Sequence, residues 1–404
     1  MSVLENVKNM SREEMLACIK NSGIYNYGLT KCSLVQSIDQ VLEESAEEGK
    51  ETGVVAALNN ADTDYLLLDI LKKDPERVLE GICLAAKIMQ TSNKQLNLPE
   101  EENELYESLL ETAKKYDIRL KKEIVDIRKA KGHLLLHIVT AKELVDVFEG
   151  CYDEGIYLSV NGLELRKVKS DTVIEDLLIQ SGFQISDVKA LQCGYTFQTK
   201  DALKKTIGEV DTTNGILRIL TKKDCIVQET QKRLLASRKA SCGKCVFCRE
   251  GLIQLEHMQK EITEGRGKND FIDLTKEIGE AMCYSTPCTV GQVSSKIALS
   301  AVEYFPEEYE AHIKKKKCPA GACKAFVNIY IDPFLCTGCG ECLDVCPVDC
   351  IEGKSNYIHM IDDFDCTKCG KCMAVCEEKA IIQTTGKLPK LPNRLTKVGR
   401  FKKR

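Results

Sequence analysis

The chain has 404 residues, of which 43% are hydrophobic and 29% are charged, and its formal net charge is -4 at neutral pH. This is globular material, enough for about three domains with separate cores. Acidic and basic residues are mixed along most of the chain, which excludes a nucleic-acid binder with a broad basic face. No window reaches the roughly 20 apolar residues of a membrane span, and the first residues lack a secretory signal, so we expect a soluble cytoplasmic protein.

The N-terminal region, residues 1–150, alternates between helical and strand patterns. Ser11 and Glu14 predict a capping box at the start of the first helix. The apolar run at residues 53–58 indicates a short buried strand. Pro75 begins a further helix with an apolar stripe, at a position where its missing N–H costs nothing. We therefore predict an α/β domain here.

Residues 151–222 have the pattern of strands around a single helix. Asn161 and Gly162 form a turn between two strand-like runs, which is a strong hairpin signal. Thr172 and Glu175 are placed to cap the helix that follows. We interpret this region as a small β-grasp-like module, which makes the fold class a multidomain combination of α/β and α+β parts.

The remaining chain divides by composition into four parts. Residues 223–313 carry helical periodicity and predict a small helical bundle that binds iron and sulfur. Residues 314–324 form a linker with a possible zinc site, and residues 325–386 form a cysteine-dense ferredoxin domain. Residues 387–404 are a basic tail, which we expect to be solvated and disordered.

The outlying number in the composition is 22 cysteines. Twelve of them lie in tight C-x2-C arrays after residue 241 or pair with those arrays. Such spacing indicates metal clusters in a reducing compartment, whereas disulfide frameworks are typical of small secreted domains. Six scattered cysteines are predicted to be small buried hydrophobic residues: Cys18, Cys32, Cys83, Cys151, Cys193 and Cys350.

The last domain contains two runs with the spacing C-x2-C-x2-C-x3-C, the first of them followed by Pro347. In bacterial two-cluster ferredoxins the fourth cysteine of each run ligates the other cluster. Zinc is the alternative, although it favours separate C-x2-C pairs. The predicted [4Fe-4S] ligands are Cys336, Cys339, Cys342 and Cys376 for cluster 2, and Cys346, Cys366, Cys369 and Cys372 for cluster 3.

A different array, Cys242, Cys245 and Cys248, supplies three thiolates for a further [4Fe-4S] site, cluster 1. Three thiolates leave a four-iron cube one ligand short, so the fourth ligand must come from elsewhere in the chain. Cys288 or Cys283 can supply it from the segment before the next helix. A zinc site is the alternative for this array.

A last group, His312, Cys318 and Cys323, has no cluster spacing but has ligand types that suit Zn2+. Adding Cys225 would complete a site of three cysteines and one histidine. In the alternative interpretation Cys318 and Cys323 are free thiols in a linker.

These motifs together resemble the NADH-oxidising flavoprotein subunits of respiratory complex I and, more closely, those of NAD(P)-linked multimeric iron hydrogenases and related formate dehydrogenases. The resemblance implies that the β-grasp module is of the soluble ligand-binding (SLBB-like) type. It also implies that Cys288, rather than Cys283, completes cluster 1, and it supports the zinc site. It covers roughly residues 223–404 and rests on the double-cluster domain and on SCGKCVFCREG (241–251), CTVGQ (288–292), EYFPEEYEAHI (303–313) and KCPAGACKA (317–325).

The N-terminal half departs from the family pattern. The flavin-phosphate loop GRGGAGFPTG is replaced by IYNYGLTKCS (24–33), in which only Gly28 survives, and NADEGEPG is reduced to NNADTDYLL (59–67), whereas DPERVLEGICLAA (74–86) is intact. A phosphate needs close backbone approach, which glycine permits. We therefore expect a degenerate FMN/NADH-binding-like domain with no FMN and no catalytic residues. The alternative is a divergent loop that still holds FMN through backbone amides.

The function predicted from these features is electron transfer within a multisubunit oxidoreductase. The chain would relay single electrons between a catalytic partner and ferredoxin or another small iron–sulfur subunit, in anaerobic, low-potential chemistry. The alternatives are an active, FMN-containing NADH dehydrogenase subunit of a hydrogenase or formate dehydrogenase complex, and a largely structural docking subunit.

Overall fold

The computed structural model describes residues 2–27 and 32–402, apart from the side chain of Glu48. Gly28, singled out above, lies outside the described residues. The chain forms two compact units. Unit 1 comprises Met1–Thr221, Arg233–Leu255 and Thr275–Tyr304, and unit 2 comprises Lys222–Lys232, Glu256–Leu274 and Phe305–Arg404.

Helices are numbered in chain order. None of those in the described residues is both long enough and apolar enough to span a membrane. The α-helices are α1 (Val3–Asn6), α2 (Arg12–Ser22), α3 (Leu34–Glu48), α4 (Leu68–Lys73), α5 (Pro75–Ile88), α6 (Asn103–Lys115), α7 (Ile138–Glu149), α8 (Ile174–Gln180), α9 (Ile226–Ala240), α10 (Val246–Thr263), α11 (Phe271–Ser285), α12 (Thr289–Val293), α13 (Lys296–Tyr304), α14 (Pro306–Ile313), α15 (Glu341–Asp344) and α16 (Lys371–Val375).

Strands are numbered in the same way. They are β1 (Gly53–Ala57), β2 (Lys94–Leu98), β3 (Arg119–Lys122), β4 (His133–His137), β5 (Ile156–Val160), β6 (Arg166–Val168), β7 (Val188–Cys193), β8 (Thr196–Thr199), β9 (Ile216–Thr221), β10 (Asn328–Ile331), β11 (Ile351–Glu352), β12 (Met360–Ile361) and β13 (Ile381–Thr384).

Unit 1 begins with a four-stranded parallel sheet in the order β3-β2-β1-β4. The predicted capping box is confirmed: the Ser11 hydroxyl accepts the Glu14 N–H at 3.2 Å, and the Glu14 carboxylate accepts the Ser11 N–H at 2.7 Å. Helices α5 and α7 cross closely at Gly81, where a Cβ would lie 1.8 Å from the Ala141 carbonyl oxygen. The α/β prediction for the start of the chain is therefore correct at the level of its elements.

A second, five-stranded sheet in unit 1 has the order β6-β5-β9-β7-β8, in which β5 and β9 run parallel and the other neighbours are antiparallel. The predicted capping of α8 is wrong. Its N-cap is Val173, without a side-chain cap, and Thr172 and Glu175 make no capping box. The reason is tertiary, because the Lys205 carbonyl oxygen already accepts the Ile174 N–H at 3.0 Å.

The C-terminal part of unit 2 contains two short two-stranded antiparallel sheets, β10 with β13 and β11 with β12. Helices α15 and α16 each follow a glycine in the left-handed region, Gly340 with φ 101° and Gly370 with φ 76°. Val327, Ile329, Ile331, Ile358 and buried cysteines form a small hydrophobic core in this part of the chain.

Residues 396–401 of the basic tail contact this part of unit 2, so the prediction of a disordered tail is wrong for them. Most residues between 387 and 402 are exposed, as predicted for a solvated tail. The Thr396 carbonyl oxygen accepts the Ile358 N–H at 2.9 Å, and the Val398 N–H donates to the Asn356 carbonyl oxygen at 3.1 Å. The Phe401 ring lies 5.7 Å from the Phe334 ring. Backbone hydrogen bonds and the contact between two aromatic rings hold this part of the tail on the domain. The positive charge of the tail gave no indication of these contacts.

Candidate metal centres

One cavity in unit 2 is lined by the four cysteines predicted for cluster 2, Cys336, Cys339, Cys342 and Cys376. The first three come from a tight loop that runs into α15, and Cys376 follows α16. The loop requires Gly338, which has φ 77° and would place a Cβ 2.8 Å from the backbone of Tyr357. The Cys376 sulfur accepts the Ala380 N–H at 3.3 Å, a contact of the kind that orients a thiolate ligand.

A second cavity in unit 2 is lined by the four cysteines predicted for cluster 3, together with Cys350. The Cys366 sulfur accepts the Lys368 N–H at 3.4 Å. The Cys350 sulfur lies 3.5 Å from the Cys346 sulfur, so this residue is more than the core hydrophobe that was predicted. Among the other scattered cysteines, Cys193 is buried, whereas Cys151 is exposed and was predicted wrongly.

The cysteines of cluster 1 meet in unit 1. Cys242, Cys245 and Cys288 line a cavity of about 350 Å³, which lies at the carboxyl ends of β2 and β3. Burial raises the pKa of the Cys248 and Cys288 thiols, and the charges of the neighbouring cysteines add to this shift. The Cys283 sulfur instead lies 3.4 Å from the Ser295 hydroxyl.

Cationic side chains hold the loop of cluster 1. The Arg128 guanidinium donates to the Cys245 sulfur at 3.4 Å, and the Arg249 guanidinium donates to the Gly243 carbonyl oxygen at 3.0 Å. A positive charge beside a ligand sulfur favours the more negative, reduced state of a cluster. Sequence spacing did not point to Arg128, because it lies 117 residues before Cys245.

Each of these three cavities can be tested against the group it is predicted to hold. A [4Fe-4S] cube needs four thiolate ligands, commonly with backbone N–H groups directed at the sulfurs. The four predicted ligands line each cavity of unit 2, and three line the cavity of unit 1, where Cys248 interacts electrostatically with them. Cys376 and Cys366 accept backbone N–H groups. The donor sets therefore fit four-iron clusters.

A separate group of ligand atoms lies elsewhere in unit 2, where Cys225, His312, Cys318 and Cys323 are all buried and their ligand atoms lie within 4.8 Å of one another. The His312 Nε2 is 3.3 Å from the Cys225 sulfur and 3.4 Å from the Cys323 sulfur. The two sulfurs are 3.6 Å apart. Tetrahedral zinc bonds imply ligand separations of about 3.5 to 3.8 Å, so the set fits Zn2+.

The backbone orients His312 within this group. Its Nδ1–H donates to the Glu308 carbonyl oxygen at 2.7 Å, which leaves Nε2 facing the sulfurs. Burial alone would lower the pKa of His312, but hydrogen bonds with Cys225 and Cys318 outweigh it and raise the pKa to about 10. These hydrogen bonds stabilise a proton on Nε2 of His312. A zinc ion bound to the sulfurs and to Nε2 would replace that proton.

The residues predicted to correspond to the second flavin segment make contacts within unit 1. The Asn60 amide donates to the Val125 carbonyl oxygen at 2.8 Å and accepts the Val125 N–H at 2.9 Å. The Tyr195 hydroxyl donates to the buried Asp62 carboxylate, whose other oxygen lies 3.9 Å from the His137 Nε2. These side chains hold loops of the protein together.

The segment predicted to replace the glycine-rich loop contains two tyrosines, Tyr25 and Tyr27. The Tyr27 N–H donates to the Thr140 hydroxyl at 2.6 Å, and the Tyr27 hydroxyl accepts the Tyr157 N–H at 3.0 Å. The Tyr27 ring lies 5.3 Å from the ring of His137, which caps α7 by accepting the Val139 N–H. The start of α7 is thus covered by side chains of the protein itself.

Comparison with known proteins identifies two regions of this chain. Residues 230–312 match the NADH-ubiquinone oxidoreductase-F iron-sulfur binding region, and residues 328–377 match a 4Fe-4S dicluster domain. The chain therefore contains iron–sulfur binding regions of oxidoreductase type, with more than one 4Fe-4S cluster. The resemblance drawn from the motifs is confirmed for this half.

Two curated relatives cover part of the chain. NADP-reducing hydrogenase subunit HndC from Solidesulfovibrio fructosivorans is 36% identical over 171 residues, which are 42% of this chain and 34% of that protein. The mitochondrial 51 kDa subunit of NADH-ubiquinone oxidoreductase in Neurospora crassa is 28% identical over 123 residues, 30% of this chain and 24% of that protein. The matched regions thus span only about a third or less of these relatives.

A solved structure extends the similarity of fold. The NAD+-reducing [NiFe]-hydrogenase in its H2-reduced state matches with a TM-score of 0.64 at 15% sequence identity, covering 78% of this chain and 65% of the hydrogenase chain. The mixed α/β multidomain fold is therefore shared with that chain. At this identity the likeness concerns the fold alone.

Proposed function

We propose that this protein is an electron-transfer subunit of a multisubunit oxidoreductase and carries three [4Fe-4S] clusters but no FMN of its own. The clusters supply one-electron transfer, and the chain would link a catalytic partner to ferredoxin or another small iron–sulfur subunit. The observation that carries this proposal is that eleven of the twelve predicted ligands line three cavities, four in each cavity of unit 2 and three in that of unit 1. The twelfth, Cys248, interacts electrostatically with the three cysteines of the unit 1 cavity.

The polypeptide contributes ligands and their immediate surroundings. Thiols in each set come from separate segments, as with Cys376 beside Cys336, so a formed cluster also ties these segments together. Exposed ligands, Cys339, Cys369 and Cys242, leave an edge of each site near solvent where a partner can approach. Backbone N–H groups and the Arg128 guanidinium stabilise charge on the sulfurs.

The absence of FMN is proposed because the described residues do not fit it. Phosphate binding requires free backbone N–H groups at a helix start or a glycine-rich loop. Tyr27 and His137 cover the start of α7, and Asn60 and Asp62 are engaged by Val125 and Tyr195. Without flavin there is no two-electron acceptor for a hydride, so we expect no NADH oxidation.

Two further parts complete the proposal. We propose that Cys225, His312, Cys318 and Cys323 hold a structural zinc ion, which their separations support. We also propose that residues 151–222 are a β-grasp module of the SLBB-like type, since a central parallel pair, β5 and β9, is flanked by the antiparallel strands β6 and β7 and accompanied by α8.

The test is metal and flavin analysis of the full chain after anaerobic reconstitution. Three clusters require roughly twelve irons per chain, reduced-cubane electron paramagnetic resonance (EPR) signals, and no bound flavin after incubation with FMN. NADH should then fail to reduce a viologen dye through the protein. FMN at unit stoichiometry, or zinc in place of iron in the cysteine arrays, would overturn the proposal.

A second candidate is an active NADH dehydrogenase subunit with an altered flavin pocket. It is favoured by the cavity of about 350 Å³ that opens beside Cys242, Cys245 and Cys288 at the carboxyl edge of a parallel sheet, where ligands of α/β folds bind. NADH-driven dye reduction by flavin-saturated protein would support this candidate, and its absence would reject it.

A further inference from the structure

The two cluster cavities of unit 2 are related by an internal repeat of 30 residues. We call two residues 30 positions apart repeat mates. Almost every residue that lines one cavity has its repeat mate in the wall of the other. Several of these mates are identical, namely Ile331 and Ile361, Thr337 and Thr367, Ile381 and Ile351, and all four pairs of cysteines. Each residue that lines one cavity can therefore be compared with its counterpart in the other cavity.

Two buried positions in these walls carry a polar hydrogen in one cavity only. His359 lines the cavity of cluster 2, whereas its repeat mate, Ile329, lines the cavity of cluster 3. Cys350 lines the cavity of cluster 3, whereas its repeat mate, Ala380, lines the cavity of cluster 2. All four side chains are buried. The exchange therefore alters the surroundings of the ligands rather than the protein surface.

The His359 ring is held against a ligand of cluster 2. Its Nδ1 lies 3.8 Å from the Cys336 sulfur, whereas its Nε2 has no hydrogen-bond partner among the described residues. A Cβ on Gly353 would lie 2.1 Å from the ring, so the glycine leaves the space that the ring occupies. The hydrogen of the ring belongs on Nδ1, the nitrogen that faces an acceptor.

Cys350 stands in the same relation to cluster 3. Its sulfur lies 3.5 Å from the Cys346 sulfur, and the four ligands that the motif assigns leave it without an iron of its own. A thiol in this position can donate its S–H to the thiolate of Cys346. The side chain of Ala380 has no such hydrogen for Cys376 in the other cavity, where only its backbone N–H donates to that sulfur.

We propose that His359 and Cys350 are positioning residues that set the reduction potentials of clusters 2 and 3 independently, each by donating a hydrogen to one ligand sulfur. The reduced cluster carries one more negative charge, so a donor to its sulfur stabilises it and raises its potential. This inference rests on the proposed function, because both cavities must hold [4Fe-4S] clusters.

The test replaces each residue by its repeat mate, His359→Ile and Cys350→Ala, in the reconstituted full chain. Redox titrations followed by EPR measure each potential, and Cys339→Ser and Cys369→Ser variants assign the two signals. We expect His359→Ile to lower only the potential of cluster 2 and Cys350→Ala only that of cluster 3. The reduced-to-oxidised ratio at a fixed potential should fall about tenfold, which is roughly 59 mV for one electron.

Conservative variants separate hydrogen bonding from packing. His359→Asn and Cys350→Ser keep a donor and should retain potentials near those of the unchanged protein. Unaltered potentials in His359→Ile and Cys350→Ala with both clusters assembled would overturn the inference, as would equal shifts of both clusters. Should a mate variant lose its cluster, a lowered potential in the conservative variant would overturn it as well. A wild-type protein without cubane signals would instead reject the proposed function.

Discussion

At the scale of single residues, cluster 1 depends on which of two cysteines completes it. Cys288 precedes α12, and the backbone N–H groups of Val290 and Gly291 favour its thiolate, although burial as the larger effect raises the pKa. It lines the same cavity as Cys242 and Cys245. Cys283 lies within α11 and contacts the Ser295 hydroxyl. Of the two thiols, only that of Cys288 lines the cavity with the other predicted ligands, which binding of cluster 1 requires.

We expect Cys288→Ser to lose cluster 1 and Cys283→Ser to keep it. Iron analysis should give roughly eight irons per chain for the first variant and about twelve for the second, because each cluster holds four. The EPR signals of clusters 2 and 3 should persist in both. The assignment fails if Cys283→Ser is the variant that loses iron.

At the scale of elements, the close crossing of α5 and α7 supports the parallel sheet. The crossing depends on Gly81, since the backbone of Ala141 occupies the space where a side chain would begin. A helical glycine normally costs about 1 kcal/mol relative to alanine. Its presence inside α5 is therefore explained by the packing it permits.

Gly81→Ala should destabilise unit 1 by about 1 to 3 kcal/mol, because overpacking against backbone outweighs the gain in helix propensity. The matched control is Gly279→Ala in α11, where the nearest atoms belong to the Leu299 side chain, which can rotate. Urea unfolding followed by circular dichroism should give a lower midpoint for Gly81→Ala than for Gly279→Ala. Equal midpoints would contradict the account of this crossing.

At the scale of the whole molecule, the proposed metal sites are of two kinds, for iron–sulfur clusters and for zinc. The thiol sets for iron occur in both units, and the group of three cysteines and one histidine lies in unit 2. This last group joins Cys225 to the segment of residues 312–323, and His312 lies 87 residues after Cys225. A metal bound there contributes to folding, because the unfolded chain has no such site.

Cys318→Ser should therefore remove about one zinc per chain and leave the iron content unchanged. Its thermal unfolding midpoint should fall, and addition of Zn2+ should not restore it. Cys193→Ala, which alters a buried thiol outside these sites, is the control and should retain zinc. Zinc retention by Cys318→Ser, or wild-type protein without zinc, would argue against the site.

The sequence by itself determined those features in which residues close together in the chain act together. The triads Cys336, Cys339 and Cys342, and Cys366, Cys369 and Cys372, are spaced by local turns, and the Ser11 capping box spans one helical turn. Recognition of the iron–sulfur regions followed from such local spacing, and the comparisons confirm it.

The tertiary structure decided what depends on residues distant in sequence. Contact between Arg128 and Cys245, the packing of His359 on Cys336, and the docking of the tail arise when separate segments fold together. The internal repeat could have singled out Cys350 beforehand, since its mate is alanine. Hydrogen bonds and burial depend on which residues are close in space. Spacing along the chain predicts such contacts only between residues that a local turn or a helix brings together.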